Sequence, residues 1–299
     1  MKFIRHRGRA LRTVALCAIT EWFEHRDSSK GAALAFYTAF SIAPILVLVI
    51  AIAGLFYGQQ AAQGELFGQL KGLMGARGAE ALQVILAGAR DHEDGVLATV
   101  TAGVLLLVGA TTVFAELKAS LDEIWQLPPL KQGSLWDTLR TRLLLFGMVL
   151  VLGFLLLVSL VVSAALAVLE KFWQGRWGGT TMLLTGINWV IGFAVIAAMF
   201  GVIFKMLPRI KLSWHDVVIG ALGTAALFTL GKFAIGAYIG NSGVADSFGA
   251  AGSLIALLLW VYYSAQIFFL GAEFARQYAL QLGSLKYHPR DARGWQLLT

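Results

Sequence analysis

Tyr37, Ser41 and Pro44 recur at spacings of four and three within the apolar stretch "ALAFYTAFSIAPILVLVIAIAGLFYG", with Thr38 beside them. On a helix those spacings share one face. Two uses of such a face remain open. Small and hydroxylated residues let neighbouring helices approach, and a hydroxyl can satisfy the carbonyl that Pro44 leaves without an amide partner. Alternatively the face lines a polar cavity, and Pro44 breaks the helix near mid-depth, where transporters place their sites.

Other polar groups fall in or beside apolar runs. Lys232 is the only basic residue deep inside one. A charge at the membrane centre costs about 2.5–3.5 kcal/mol on insertion scales, so Lys232 must snorkel outward or pair, and Asp246 in the following loop is a partner at matching depth. Glu273, near the end of the last apolar run, is either a structural ion pair or a gate, with Lys205, Arg209, Lys211 and Arg276 in range. On that same run Trp260 and Ser264 belong to a stripe of small and aromatic residues, which suits close helix packing or a gated passage.

Catalytic and metal chemistry finds little support. His6, His25, His92, His215 and His288 stand singly rather than in a ligand cluster, and neither a GxSxG elbow nor a Walker loop is present. Cys17, the only cysteine, leaves no intramolecular disulfide and no CxxC redox pair. The residues therefore predict no enzyme, no cofactor and no bound metal.

The elements that position these groups follow from composition. Of 299 residues 58% are hydrophobic and 14% charged, against roughly 25% charged in an average soluble domain. Six apolar runs, at 34–57, 95–115, 142–168, 183–206, 216–239 and 250–274, approach the roughly 20 residues needed to cross a bilayer. They are continuous rather than alternating, which favours helices over a barrel. The expected fold is an all-α polytopic membrane protein with six transmembrane helices.

Charge predicts orientation. Counted on alternate sides of six spans, 18 of the 24 Lys and Arg fall on the side of both termini, five on the other, and Lys232 lies inside. The positive-inside rule then puts both termini in the cytoplasm. The same asymmetry accounts for the net charge of +7, so the basic balance predicts contact with anionic lipid heads and no nucleic-acid partner.

Three regions are expected: an amphipathic cytoplasmic segment, 1–33; the six-helix domain, 34–275, including an outer loop at 58–94; and a cytoplasmic tail, 276–299. In the first, Leu11, Val14, Ala18 and Trp22 form a stripe suited to the membrane surface. The outer loop reads as two short amphipathic helices separated by glycine-rich turns. In "FAELKASLDEIWQLPP", Phe114, Leu117, Leu121 and Ile124 form a stripe on a helix that projects from the membrane and stops before Pro128 and Pro129. A tight turn is expected at Pro208.

The runs "DSSKGAALAFYTAFSIAPILVLVIAI", "LDEIWQL" and "SFGAAGSLIALLLWVYYSAQIFFLGAEFARQYA", in that order, resemble the BrkB/YihY family of bacterial inner-membrane proteins. One departure is Phe248, where the resemblance leads one to expect Tyr, as in many relatives. The resemblance implies six helices with both ends inside, an association with serum resistance, and a tRNA-processing ribonuclease label that the scattered histidines contradict. Together these readings predict an inner-membrane transport-type protein for an amphiphilic or anionic solute such as a lipid. The alternative is a structural or lipid-binding envelope protein that moves nothing. Membrane lipids are the expected partners, and a homo-oligomer is compatible with either.

Overall fold

Helices are the only regular elements among the described residues of the computed structural model, namely 2–90, 111–128, 140, 143–145, 147, 148, 150–155, 158, 180–241 and 252–286. In chain order they are α1 (Lys2–Glu24), α2 (Asp27–Tyr57), α3 (Gln59–Arg90), α4 (111–124), α5 (Leu143–Leu155), α6 (Thr180–Met206), α7 (Trp214–Asn241) and α8 (Gly252–Gln281). Gly186–Met206, Trp214–Ile239 and Leu254–Gln281 are long and apolar enough to cross a membrane. The all-α membrane class is therefore as expected. Most of the predicted second span and part of the third lie outside the described residues.

Around α8 the bundle assembles, with α1, α2, α3 and α7 all packed on it. One core joins Leu121 and Ile124 of α4, Leu145 and Met148 of α5, and Phe204 of α6 to Val217 of α7 and Phe269 of α8. A second joins Leu46 and Ile50 of α2, Leu82 and Leu86 of α3, and Leu257 of α8. Where α7 meets α8 the backbones come close. A Cβ on Gly220 would overlap that of Ala275 and lie 3.2 Å from its Cα, and one on Gly271 would overlap the side chain of Thr224. Small residues at a helix crossing let van der Waals contacts and backbone dipoles approach, which is the main attraction available between helices in lipid.

Three boundaries differ from the sequence expectation. α2 starts at Asp27, so the predicted N-terminal segment 1–33 holds α1, which ends at Glu24, a two-residue corner and about the first two turns of α2. The corner takes two residues because Arg26 adopts the left-handed conformation, φ 55°. The predicted pair of loop helices at 58–94 is one 32-residue helix, α3, entered through Gly58 at φ 79°. Its glycines each cost about 1 kcal/mol relative to Ala in a helix interior, and burial of Leu66, Phe67, Leu82 and Leu86 against α2 and α8 offsets that cost. α8 continues past residue 275 to Gln281, with Arg276 and Gln277 buried.

The predicted stripe of α4 faces the core, with Leu121 and Ile124 wholly buried against residues of α5, α6 and α8. The helix stops before the prolines, at Ile124. Gln126 takes the left-handed conformation, φ 53°, its amide donates to the Glu123 carbonyl at 2.8 Å, and the Leu127 amide donates to that of Asp122 at 2.9 Å. This pair of bonds is a Schellman C-cap, and Pro128 follows it. The turn at Pro208 is present: α6 ends at Met206 and α7 begins at Trp214, where Ser213 Oγ accepts from the Asp216 amide at 3.3 Å.

Candidate functional site

The two-residue corner between α1 and α2 sets His25 against the last third of α8. His25 Nδ1 lies 2.5 Å from Glu273 Oε1, and His25 Nε2 lies 3.5 Å from Glu21 Oε2, one turn earlier on α1. Arg276, one turn beyond Glu273, closes the figure with Nη1 3.0 Å from Glu21 Oε2 and 3.5 Å from Glu273 Oε2. The four side chains form a ring in which carboxylates and nitrogen bases alternate. The Glu273 side chain is fully shielded and that of Arg276 3% exposed.

Buried ions survive only when paired and hydrogen-bonded. Here each acid has two basic neighbours and each base two acids, with Glu273 Oε2 paired to Arg276 by charge at 3.5 Å and without a hydrogen-bond partner among the described residues.

A second ion pair adjoins the ring. Asp27, wholly buried in the first turn of α2, accepts from Lys30 Nζ at 2.9 Å. Lys30 also donates to the His25 carbonyl at 2.9 Å and lies 3.4 Å from the exposed carboxylate of Glu123 on α4. Burial pushes the Asp27 carboxyl above its ordinary range, with the bond to Lys30 pulling the other way. From the α4 cap Gln126 Nε2 comes within 3.4 Å of His25 Nε2. Nearby, Asp122 accepts from Lys118 at 2.7 Å and from Arg209 Nε at 2.8 Å, tying α4 to the α6–α7 turn.

Glu21, His25 and Glu273 each offer one ligand atom within 4.8 Å of the others. The arrangement fits a cation poorly, because the two ring nitrogens face different carboxylates and the Arg276 guanidinium already bridges both acids. What the ring can bind is a proton. The 2.5 Å contact between Nδ1 and Oε1 needs one hydrogen between two atoms that would otherwise oppose lone pairs.

The residues expected from sequence are distributed differently. Of the four possible basic partners of Glu273, only Arg276 reaches it. Lys205 donates to the Leu212 carbonyl and lies 5.2 Å from the Trp214 ring centre, and Arg209 belongs to Asp122. Ser41 is buried and Thr38 half-buried, whereas Tyr37 is exposed, with its ring against Phe36. Pro44 lies inside α2, which continues unbroken through it.

Lys232 is far along α7 from the ring. Its Nζ stands 5.5 Å from the Trp189 ring centre and 5.3 Å from that of Phe233, and those rings stack at 5.9 Å. Such placement gives the ammonium cation–π contacts. Asp246 lies outside the described residues. Trp260 is half-buried, edge-on to Phe228 at 6.2 Å, and its Nε1 has no hydrogen-bond partner among the described residues. Ser264 is half-buried one turn further on. Among the described residues Glu273 is therefore the one sequence candidate that the fold draws into a charged cluster.

Glu21, His25, Asp27 and Lys30 were missed by a reading that treated each histidine alone. A signal existed in "EWFEHRDSSK": Glu21 and His25 are one helical turn apart, and Asp27 and Lys30 flank a helix start.

The comparisons agree in what they name. At 28% identity over 278 residues the chain is similar to a UPF0761 membrane protein of Stenotrophomonas maltophilia strain R551-3, covering 91% of this chain and 61% of that one. It is 24% identical over 277 residues to a UPF0761 membrane protein of Xanthomonas campestris pv. campestris strain B100, with the same coverages. A UPF0761 membrane protein of Tolumonas auensis is 29% identical over 178 residues, 59% of this chain and 56% of the relative. The chain thus spans about three fifths of the length of the curated relatives it matches. No solved structure matches. The family model described as virulence factor BrkB matches residues 18–294, nearly the whole helical bundle and all four members of the charged ring, and the chain belongs to that family of membrane proteins.

Proposed function

We propose that this protein is an inner-membrane transport-type protein, with six spanning helices and both termini in the cytoplasm, that moves an amphiphilic or anionic solute such as a lipid. The observation that carries the reading is Glu273: a wholly buried carboxylate on a helix able to cross a membrane, held by His25 and Arg276. Ionisable groups in spanning helices are costly and mark solute paths, relays or gates. In this reading the ring closes the cytoplasmic end of the path, fastening α1 and the start of α2 to α8. Lys232, beside the stacked rings of Trp189 and Phe233, offers a cation to an anionic headgroup towards the outer end. The protein takes no cofactor, catalyses no reaction and binds no nucleic acid. The exposed rings of Phe36 and Phe40 face acyl chains.

The alternative, a non-transporting structural or lipid-binding protein, is favoured by one observation. Gly220 and Gly271 bring α7 against α8 without space for a methyl group, so that seam is solid.

Reconstitution separates the two. Purified protein in liposomes carrying fluorescent lipids and a small-anion reporter should accelerate scrambling or flux, and Lys232→Ala and Glu273→Gln should each reduce it. Rates equal to those of empty vesicles, with no difference between wild type and variants, would leave the scaffold reading.

A further inference from the structure

The stripe of Leu11, Val14, Ala18 and Trp22, suited by sequence to the membrane surface, is largely turned towards the bundle: Val14 and Ala18 are buried, Trp22 packs on the core around Leu121, and of the four only Leu11 is exposed. On the opposite side of α1, Leu16, Ile19 and Phe23 are exposed. Their spacings of three and four put them on one face. The same register runs back to Arg12, which is exposed, and in the sequence on to Arg9 and Arg5. One face thus divides into an apolar half and a half that is arginine at every step. We propose that this face is a docking surface for anionic phospholipid, with Leu16, Ile19 and Phe23 among the acyl chains and Arg12 at the headgroup phosphates.

The way α1 is fixed on α8 sets the depth of each half. Glu21 meets Arg276 and His25 meets Glu273, so going forward along α1 goes backward along α8. The Phe23 end of the face therefore lies beside the part of α8 that is apolar enough to cross a membrane, and the Arg12 end lies towards its last turn at Gln281. Arg12 is about 16 Å of helix from Phe23. The headgroup layer on each side of the hydrocarbon is about 5–8 Å thick, so one helix can hold phenylalanine in hydrocarbon and arginine among phosphates. Charge favours the same occupant: Lys2, Arg5, Arg7, Arg9 and Arg12 precede Glu21, and no Asp or Glu does. Arginine binds phosphate through parallel N–H donors and is drawn to anionic leaflets. The exposed acid of α1, Glu24, follows Phe23 and so points about 100° away from it. A second copy of the chain on this face would set arginine against arginine, or against Leu16, Ile19 and Phe23 if reversed. A polynucleotide would leave the apolar half in water. A leaflet uses both halves.

The docking surface rests on the membrane class of the chain and not on the transport reading. The test uses the full chain with Cys17→Ser, reconstituted in vesicles of phosphatidylcholine and phosphatidylglycerol in equal parts, with a nitroxide at Leu16→Cys, Ile19→Cys or Phe23→Cys, one at a time. Collisions with oxygen should exceed those with a water-soluble nickel chelate at all three positions, and depth should increase from Leu16 to Phe23. The charged half is read by a fluorophore at Ile19→Cys, quenched by phosphatidylglycerol that carries a headgroup nitroxide and is titrated into phosphatidylcholine. The content needed for half-quenching should rise about fivefold in Arg12→Gln, the worth of one basic residue at an anionic surface, and return in Arg12→Lys. Labels that meet the chelate more often than oxygen overturn the proposal by putting the face in water, and shielding by added single-stranded RNA would then identify a polynucleotide surface. Labels hidden from both reagents overturn it too, and a dipolar distance between labels on two copies would identify the cover as a second chain. Quenching indifferent to Arg12→Gln overturns the assignment of the headgroup. If one labelled variant does not fold, the other two positions decide. None of these readouts is a flux, so failure of transport in the liposome assay leaves the docking surface standing, and labels found in water leave the transport reading standing.

Discussion

His25 Nδ1 and Glu273 Oε1 lie 2.5 Å apart although 248 residues separate them, so the last spanning helix and the first corner of the chain share one hydrogen. The contact converts a costly carboxylate into a tether between the two ends of the sequence. Its neighbours Glu21 and Arg276 extend the tether into a ring, and the consequences can be measured.

Glu273→Ala leaves Arg276, whose side chain is 3% exposed, facing only Glu21. Breaking a buried pair from one side costs about 3–5 kcal/mol. Glu21, with its side chain 21% exposed, can be replaced more cheaply, and Glu21→Ala should cost about 1 kcal/mol. Unfolding in detergent micelles compares the two variants directly. Equal losses would mean that burial of Glu273 does not set the strength of the ring.

Asp27 supplies a pH dependence of defined sign. Burial raises its carboxyl above the ordinary range, so the folded protein holds this proton more tightly than the unfolded chain does. The resulting stabilisation is present at acid pH, below about 4, and is lost as pH rises through the elevated value. Asp27→Asn removes the titration. The melting temperature of wild type relative to Asp27→Asn should therefore fall as pH rises from about 4 to about 7. A difference constant across that window contradicts the assignment.

The α7–α8 seam predicts a compensating pair. Gly220→Ala forces its new methyl onto Ala275, and overpacking of this kind costs about 1–3 kcal/mol. Adding Ala275→Gly removes the opposing Cβ and leaves the Cα at 3.2 Å, so the double variant should regain most of the loss. Thermal unfolding of the single and double variants checks it, and additive losses would mean that the helices do not meet at these residues.

At the corner, Arg26 holds φ at 55°. A left-handed residue costs an L-amino acid roughly 1–2 kcal/mol, and a β-branched one more. Arg26→Gly should match or exceed the stability of wild type, and Arg26→Val should fall below it by at least about 1 kcal/mol. Val and Gly behaving alike would show that the corner is held by tertiary contacts and not by its dihedral.

How much of this was legible beforehand varies by element. Length and apolarity sufficed for α6, α7 and α8, because a helix that must cross hydrocarbon announces itself in composition. The stripe of Leu117, Leu121 and Ile124 foretold which side of α4 is buried, and Pro208 foretold the turn before Trp214. The unity of α3 was hidden, because its glycines read locally as breaks and only packing on α2 and α8 outweighs them. The α4 C-cap was hidden for a related reason: Gln126 has no sequence mark of a left-handed residue, and its conformation follows from the two cap hydrogen bonds.

By itself the sequence determined that this is a helical membrane protein, that Glu273 is a costly residue needing partners, and that Arg276, one turn away, is within reach. Those are properties of composition and local spacing. Only the tertiary structure decided that the partner across the bundle is His25, that Glu21 completes the ring, and that Tyr37 and Lys232 lie apart from it. The reason is physical. A histidine or acid carries no mark of its neighbour until α1 folds back at Arg26 onto α8, and burial then leaves each group reliant on the other three for its partners.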